Sequence, residues 1–184
     1  MNQQNLIKPD QVYKMLHLED VALAPATVIR RIAPYRSDDE TRAALRFINF
    51  QDELISACDG RRFIRFDRDK MAMDIDVPDG AYRPVKDGKD FLLIAHSQQL
   101  EIPDTDAVMP SSFTNEFSIK QFDASGDGVS ELLYRLAKFG ISIKSQYAEE
   151  IPFGDYVVKI GGPKQVVLLV GDYTVGIMPL THTF

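Results

Sequence analysis

The 184-residue sequence has one cysteine, three histidines and no apolar run near the roughly 20 residues that a membrane helix needs. Each scarcity excludes something. Cys58 alone cannot form an internal disulfide, so a reducing cytoplasm is the expected setting. His17, His96 and His182 make no spaced pair with one another or with Cys58, which leaves zinc without a signature. Gly-x-Ser-x-Gly, P-loop and dinucleotide fingerprints are all missing, so no motif of these kinds nominates a catalytic group or a cofactor. Asp74 and Asp76 open "DIDVPDGAY" like a calcium loop, but Asp79 stands where an EF-hand needs glycine. The first residues, Met1-Asn2-Gln3-Gln4-Asn5, lack the basic-then-apolar order of a secretory signal.

What is present is an ordinary globular composition with an uneven charge. The net charge is −6, which argues against a small, wholly basic nucleic-acid binder. Residues 67–123 hold six Lys/Arg against twelve Asp/Glu, and so carry that whole charge by themselves. The rest is balanced, which leaves room for locally basic faces.

Periodicity separates the chain into elements. Residues 1–20 are a polar lead-in, in which Val12, Met15 and Leu16 fall at helical spacing and predict an arm or short helix. "PATVIRRIA", from Pro25, predicts a helix with Val28, Ile29 and Ile32 inside and Arg30 and Arg31 outside, stopped by Pro34. "ALRFINF", "ELISACD" and "RRFIRFD" predict strands turned at Asp52-Glu53 and Asp59-Gly60, and "GKDFLLIAH" predicts another. "IPDTDAVMP" is irregular, bracketed by Pro103 and Pro110. "FTNEFSIKQF" then reads as a strand and "DGVSELLYRLAKFG" as the strongest helix. Its apolar face is Val129, Leu132, Leu133, Leu136 and Ala137, its outer face Arg135 and Lys138, with Gly140 at the C-cap. "ISIKSQYAE", "DYVVKIG", "QVVLLVG" and "YTVGIMPL" follow as strands. The order strand, helix, strands occurs twice, a duplication of topology without one of sequence. The predicted class is α+β: two pseudo-repeated halves, about 21–110 and 111–184, each with one helix on antiparallel sheet.

Three constellations compete for function. Cys58 could be a nucleophile in the electropositive setting of Arg61, Arg62 and Arg65, but no histidine is near, and strand alternation makes it a small core filler. In that strand Arg62 alternates with Phe63 and is expected to project away from the apolar face. Arg30, Arg31, Arg36, Arg135, Lys138 and Lys144 lie on or just after the two helices; they are either solvated charges or a track for a DNA backbone. Pro103, Val108, Met109, Ile177, Met178 and Leu180 are apolar outside regular patterns, and form either a core edge or a peptide groove.

Three stretches, in order, resemble the bacterial DNA sliding clamps, the beta subunits of DNA polymerase III. "TRAALRFINFQDELISACDGRRFIRF" (41–66) resembles that family's segment closing on Asp-Gly, basic residues and an apolar residue. "LEIPDTDAVMP" (100–110) is similar to its Pro-Asp-x-x-x-Val-x-Pro element, and "YTVGIMPL" (173–180) to its C-terminal Met-Pro ending. The resemblance implies a DNA-clamp-like α+β domain over 21–184 and a non-enzymatic, cytoplasmic replication and processivity factor. It would be a homo-oligomer, encoded by a phage or mobile element. Its basic helices would hold double-stranded DNA without reading it. A hydrophobic cleft of Leu45, Gly60, Phe63, Pro103, Val108 and Met178 would dock peptide motifs of a DNA polymerase or other partners. The alternatives are a ring-less clamp-like adaptor that binds protein motifs without DNA, and an enzyme using Cys58 or the acidic segment 67–106. Family chains have three domains and this one has length for about one. Cys58 replaces a usual threonine, and Gly176 replaces a usual valine, which would loosen one wall of the cleft. Phe184 could fold back into that cleft.

Overall fold

Short apolar runs closed by Asp and Gly turns favour antiparallel pairing of neighbouring segments. A computed structural model of the protein describes residues 10–96, 100, 103–124, 127–162 and 164–180; Phe184 and the first nine residues lie outside them. The chain divides into two compact units, 1–60 with 65–103, and 61–64 with 104–184. Among the described residues no helix is long and apolar enough to cross a membrane.

The first unit contains β1 (Val12–Met15), α1 (Pro25–Ile32), β2 (Ile48–Gln51), β3 (Leu54–Cys58), part of β4 (Arg62–Asp67), β5 (Gly80–Asp87) and β6 (Asp90–Ala95). Antiparallel pairing gives the order β1-β6-β5-β2-β3. β6 alternates as a half-buried strand should: Phe91, Leu93 and Ala95 are buried, and the residues between them are half-exposed. α1 starts on Pro25, whose missing N–H costs nothing in the first turn, and buries Val28, Ile29 and Ile32. Of the expected arm or short helix in the lead-in, the helix is corrected: residues 12–15 form a strand. Four residues with apolar positions three apart cannot separate the helical period from a strand, and pairing with β6 decides for β1. β5 escapes the sequence pattern, because Pro84 and three charged residues mask it. Pro84 is tolerated because β2 pairs only with Gly80, Ala81 and Tyr82, so at Pro84 that edge has no ladder bond to lose.

The second unit contains β7 (Asn115–Phe122), α2 (Asp127–Ala137), α3 (Ser145–Glu149), β8 (Gly154–Ile160), β9 (Val167–Val170) and β10 (Tyr173–Ile177), with strand order β10-β9-β8-β7. α2 buries Leu132 and Leu136 and ends as expected: Gly140 has φ 70°, and the Ile141 N–H reaches the Leu136 carbonyl at 3.1 Å. Two expectations fail here. Ala137 is exposed, at the frayed edge of the apolar stripe, and "SQYAE" is the helix α3 rather than strand. One turn of helix is too short to carry its own periodicity.

A sequence trace of duplication does exist. Val77-Pro78-Asp79-Gly80-Ala81-Tyr82 enters β5, and Ile151-Pro152-Phe153-Gly154-Asp155-Tyr156 enters β8. In each, the tyrosine hydroxyl donates to the proline carbonyl four residues back, at 2.6 Å and 2.8 Å. Each ring also meets a phenylalanine edge-on, Phe50 in the first case and Phe122 in the second. The same six-residue device therefore starts one strand in each unit.

Candidate functional site

The irregular segment before β7 and the residues after β10 meet in the second unit. Val108, Met109, Pro110, Lys164, Val166 and Met178 line a pocket of about 400 Å3. Two of the expected cleft residues, Val108 and Met178, are thus brought together, 47% and 37% exposed. Met178 is held there by its backbone: its N–H donates to the Arg61 carbonyl at 2.8 Å. Full burial of an exposed side chain is worth about 1.5–3 kcal/mol, and these half-exposed ones gain about half of that when a partner covers them. Ile177, by contrast, is wholly buried and belongs to the core. Lys164, Gln165 and Val166 were not foreseen. Gly161-Gly162 marks a turn in the sequence, but nothing local tells what the turn faces.

Phe63 is buried at 2% exposure in the same unit. Its ring lies on Gly176, where a β-carbon would collide with it. The wall expected to be loosened by glycine is therefore filled by the phenylalanine. Leu45 and Gly60 neighbour each other in the first unit. A β-carbon at Gly60 would come within 3.4 Å of Leu45 Cδ1 and would also meet the Arg42 guanidinium. Gly60 has φ 86°, which glycine adopts without strain. Pro103 is half-buried at the end of the first unit.

Arg62 departs from its expected solvated place. It is 6% exposed, ion-paired to Glu150, and its guanidinium stacks 4.7 Å from the Tyr147 ring centroid. Arg62, Phe63 and Ile64 are all buried, so this part of β4 is covered on both sides and alternation does not mark a wet face.

The cations of the helices are partly committed within the fold. Arg30 Nη2 donates to the Lys89 carbonyl at 3.0 Å. Arg135 Nη1 donates to the Ser118 carbonyl at 2.7 Å and pairs with Glu131 at 3.2 Å, over the Phe117 ring. Lys138 lies over Tyr134, and Lys144, at the start of α3, over Tyr147. Arg31 is half-exposed on α1. Arg36 is anchored by Nε to the Ala33 carbonyl and by Nη1 to the Arg46 carbonyl. These contacts fix the side chains but leave further N–H groups on each guanidinium.

Cys58 is half-buried, and burial pushes its thiol above the ordinary range, with Asp59 adding to the effect against the Gly60 N–H. That is the opposite of an activated nucleophile, which needs a lowered pKa.

No protein-family model matches the chain, and no curated protein matches it. Among solved structures the fold is that of bacterial sliding clamps. The Bacillus subtilis DNA polymerase sliding clamp aligns at a TM-score of 0.57 with 13% identity, over 84% of this chain and 61% of its own. DNA polymerase III subunit beta from Borrelia burgdorferi aligns at 0.58 with 13% identity, over 96% and 65%. The Helicobacter pylori beta clamp bound to a DNA ligase peptide aligns at 0.56 with 10% identity, over 96% and 67%. The chain spans about three fifths to two thirds of the length of these clamps. At these identities the likeness establishes a sliding-clamp α+β fold, with antiparallel strands and few helices.

Proposed function

We propose that this protein is a non-enzymatic, sliding-clamp-like factor of DNA replication that associates with duplex DNA and docks partner peptides. The observation that carries the reading is the pocket of Val108 and Met178 on a clamp fold. Leu45, Gly60, Phe63 and Pro103 are the further residues of the peptide-docking proposal, with Phe63 acting through Gly176 as packed support. Arg30, Arg31, Arg135, Lys138 and Lys144, with Arg36 as a sixth cation, are the proposed phosphate contacts, sequence-blind because they meet only the backbone. Partners would be a DNA polymerase or other proteins bearing short Leu/Phe motifs, since apolar anchors suit an apolar pocket. A closed ring of several copies would supply the topological hold.

The test uses the full chain and a Leu/Phe-containing clamp-binding peptide. Wild type should bind it, and Met178→Asp should abolish binding while leaving the thermal unfolding midpoint unchanged. Equal binding by the two proteins removes the cleft. A solution mass of a stable monomer removes encirclement and leaves the ring-less adaptor, a reading favoured by the internal partners that Arg30 and Arg135 already have.

A further inference from the structure

A second pocket, of about 360 Å3, lies wholly in the first unit and draws basic side chains from four separate segments: Arg36, Arg46, Arg83 and His96, with Asp10 and Asp38. Two observations place it away from the α1 face. Arg83 pairs across the ladder with Ile94, while the alternate positions Tyr82, Leu93 and Ala95 are the buried ones. Arg83 therefore stands on the face of the sheet opposite the one that packs against α1.

The cations are set at different depths. Arg36 is half-buried and immobilised through Nε and Nη1, which leaves Nη2 without a hydrogen-bond partner among the described residues. Arg46 and Arg83 are exposed, and among the described residues their side chains have no hydrogen-bond or ion-pair partner. Burial and the neighbouring Arg46 both disfavour the charged form of Arg36, and Asp38 offsets this only in part. His96 is oriented by an edge-on contact with Phe47, ring centroids 4.3 Å apart. Asp10 and Asp38 are exposed to water, as Arg46 and Arg83 are, so half-buried Arg36 is the least screened charge of the pocket.

We propose that this pocket binds a phosphate-type oxyanion, gripped by the Arg36, Arg46 and Arg83 guanidinium groups. Guanidinium forks match the paired oxygens of a phosphate, and an anion would add to the partial counter-charge that Asp38 gives Arg36. The phosphate comes either from a small phosphorylated molecule or from a nucleic-acid backbone. In the second case Arg36 would serve DNA through this pocket.

Titration of the full chain with inorganic pyrophosphate, and separately with a short DNA duplex, tests this. Wild type should bind at least one of them, and the double variant Arg46→Ala/Arg83→Ala should bind it at least about tenfold more weakly, with an unchanged melting temperature. Arg46→Lys/Arg83→Lys should also bind more weakly, because lysine keeps the charge but loses the fork. Pyrophosphate binding without duplex binding assigns the phosphate to a small molecule. Duplex binding alone, lost in Arg46→Ala/Arg83→Ala, assigns it to a backbone. The proposal is overturned if neither probe binds, or if the alanine or the lysine pair binds as wild type does. A protein that takes pyrophosphate but no duplex would sink the DNA reading and leave this one standing.

Discussion

At the scale of single residues, two side chains of β4 show how far a local pattern reaches. Arg62 is buried against Tyr147 and Glu150, although alternation sends it to solvent. Removing one member of such a pair strands the other, so Arg62→Ala should cost about 2–4 kcal/mol, with Glu150 partly hydrated and hence toward the lower end; urea unfolding measures it. Phe63 and Gly176 form a matched pair, a large ring over a residue with no side chain. Gly176→Val should force the ring out and destabilise by about 1–3 kcal/mol, whereas Gly176→Val with Phe63→Ala should recover part of that stability. A double-mutant cycle showing simple additivity would mean that the two do not share that space.

At the scale of elements, β7 bends at Gln121, a non-glycine residue at φ 49°, where its register with β8 slips between Ile119 and Phe122. Asp155 holds the bulge. It accepts the Gln121 N–H at 2.8 Å and the Lys120 ammonium at 3.0 Å, and these two contacts, the first the larger, lower its pKa below the ordinary 3.8. A carboxylate lowered in the fold stabilises above its unfolded pKa and loses that contribution as the pH falls through the folded one. Asp155→Asn should therefore lower the melting temperature at neutral pH and flatten its fall below about pH 4, the two proteins converging in acid. An acid limb as steep as wild type would show that the bond does not bear on folding. The elements most legible in the sequence were those with enough length to repeat: α1 from Pro25 with its three apolar positions, α2 with Gly140 after it, and the Asp-Gly turn before β4. β1, β5 and α3 were not legible. Four to eight residues with Pro84 or charged neighbours inside them carry too little periodicity, and ladder partners or packing decide their form instead.

At the scale of the whole molecule, the proposed role is collective: several copies, a duplex, and a partner peptide. If DNA is held through its backbone alone, its affinity should fall steeply as salt rises and be indifferent to sequence. Arg30→Ala/Arg31→Ala/Arg135→Ala/Lys138→Ala should flatten that salt slope by up to about 0.9 for each phosphate no longer neutralised. Because Arg30 and Arg135 also bond the Lys89 and Ser118 carbonyls, the variant should lose some stability as well, about 1 kcal/mol in total. Binding with an unchanged slope would show that these helices do not meet the duplex.

By itself the sequence determined the class of the fold and its punctuation. Turn residues, caps and two long apolar stripes act within a few positions, and local sterics and burial suffice to fix them. It also placed Val108 and Met178 outside regular structure, the first sign of the pocket they share. Only the tertiary structure decided that Phe63 rests on Gly176, that Arg62 is enclosed, and that Arg36, Arg46, Arg83 and His96 converge. Those outcomes depend on which distant segment covers each face, and no spacing along the chain encodes that.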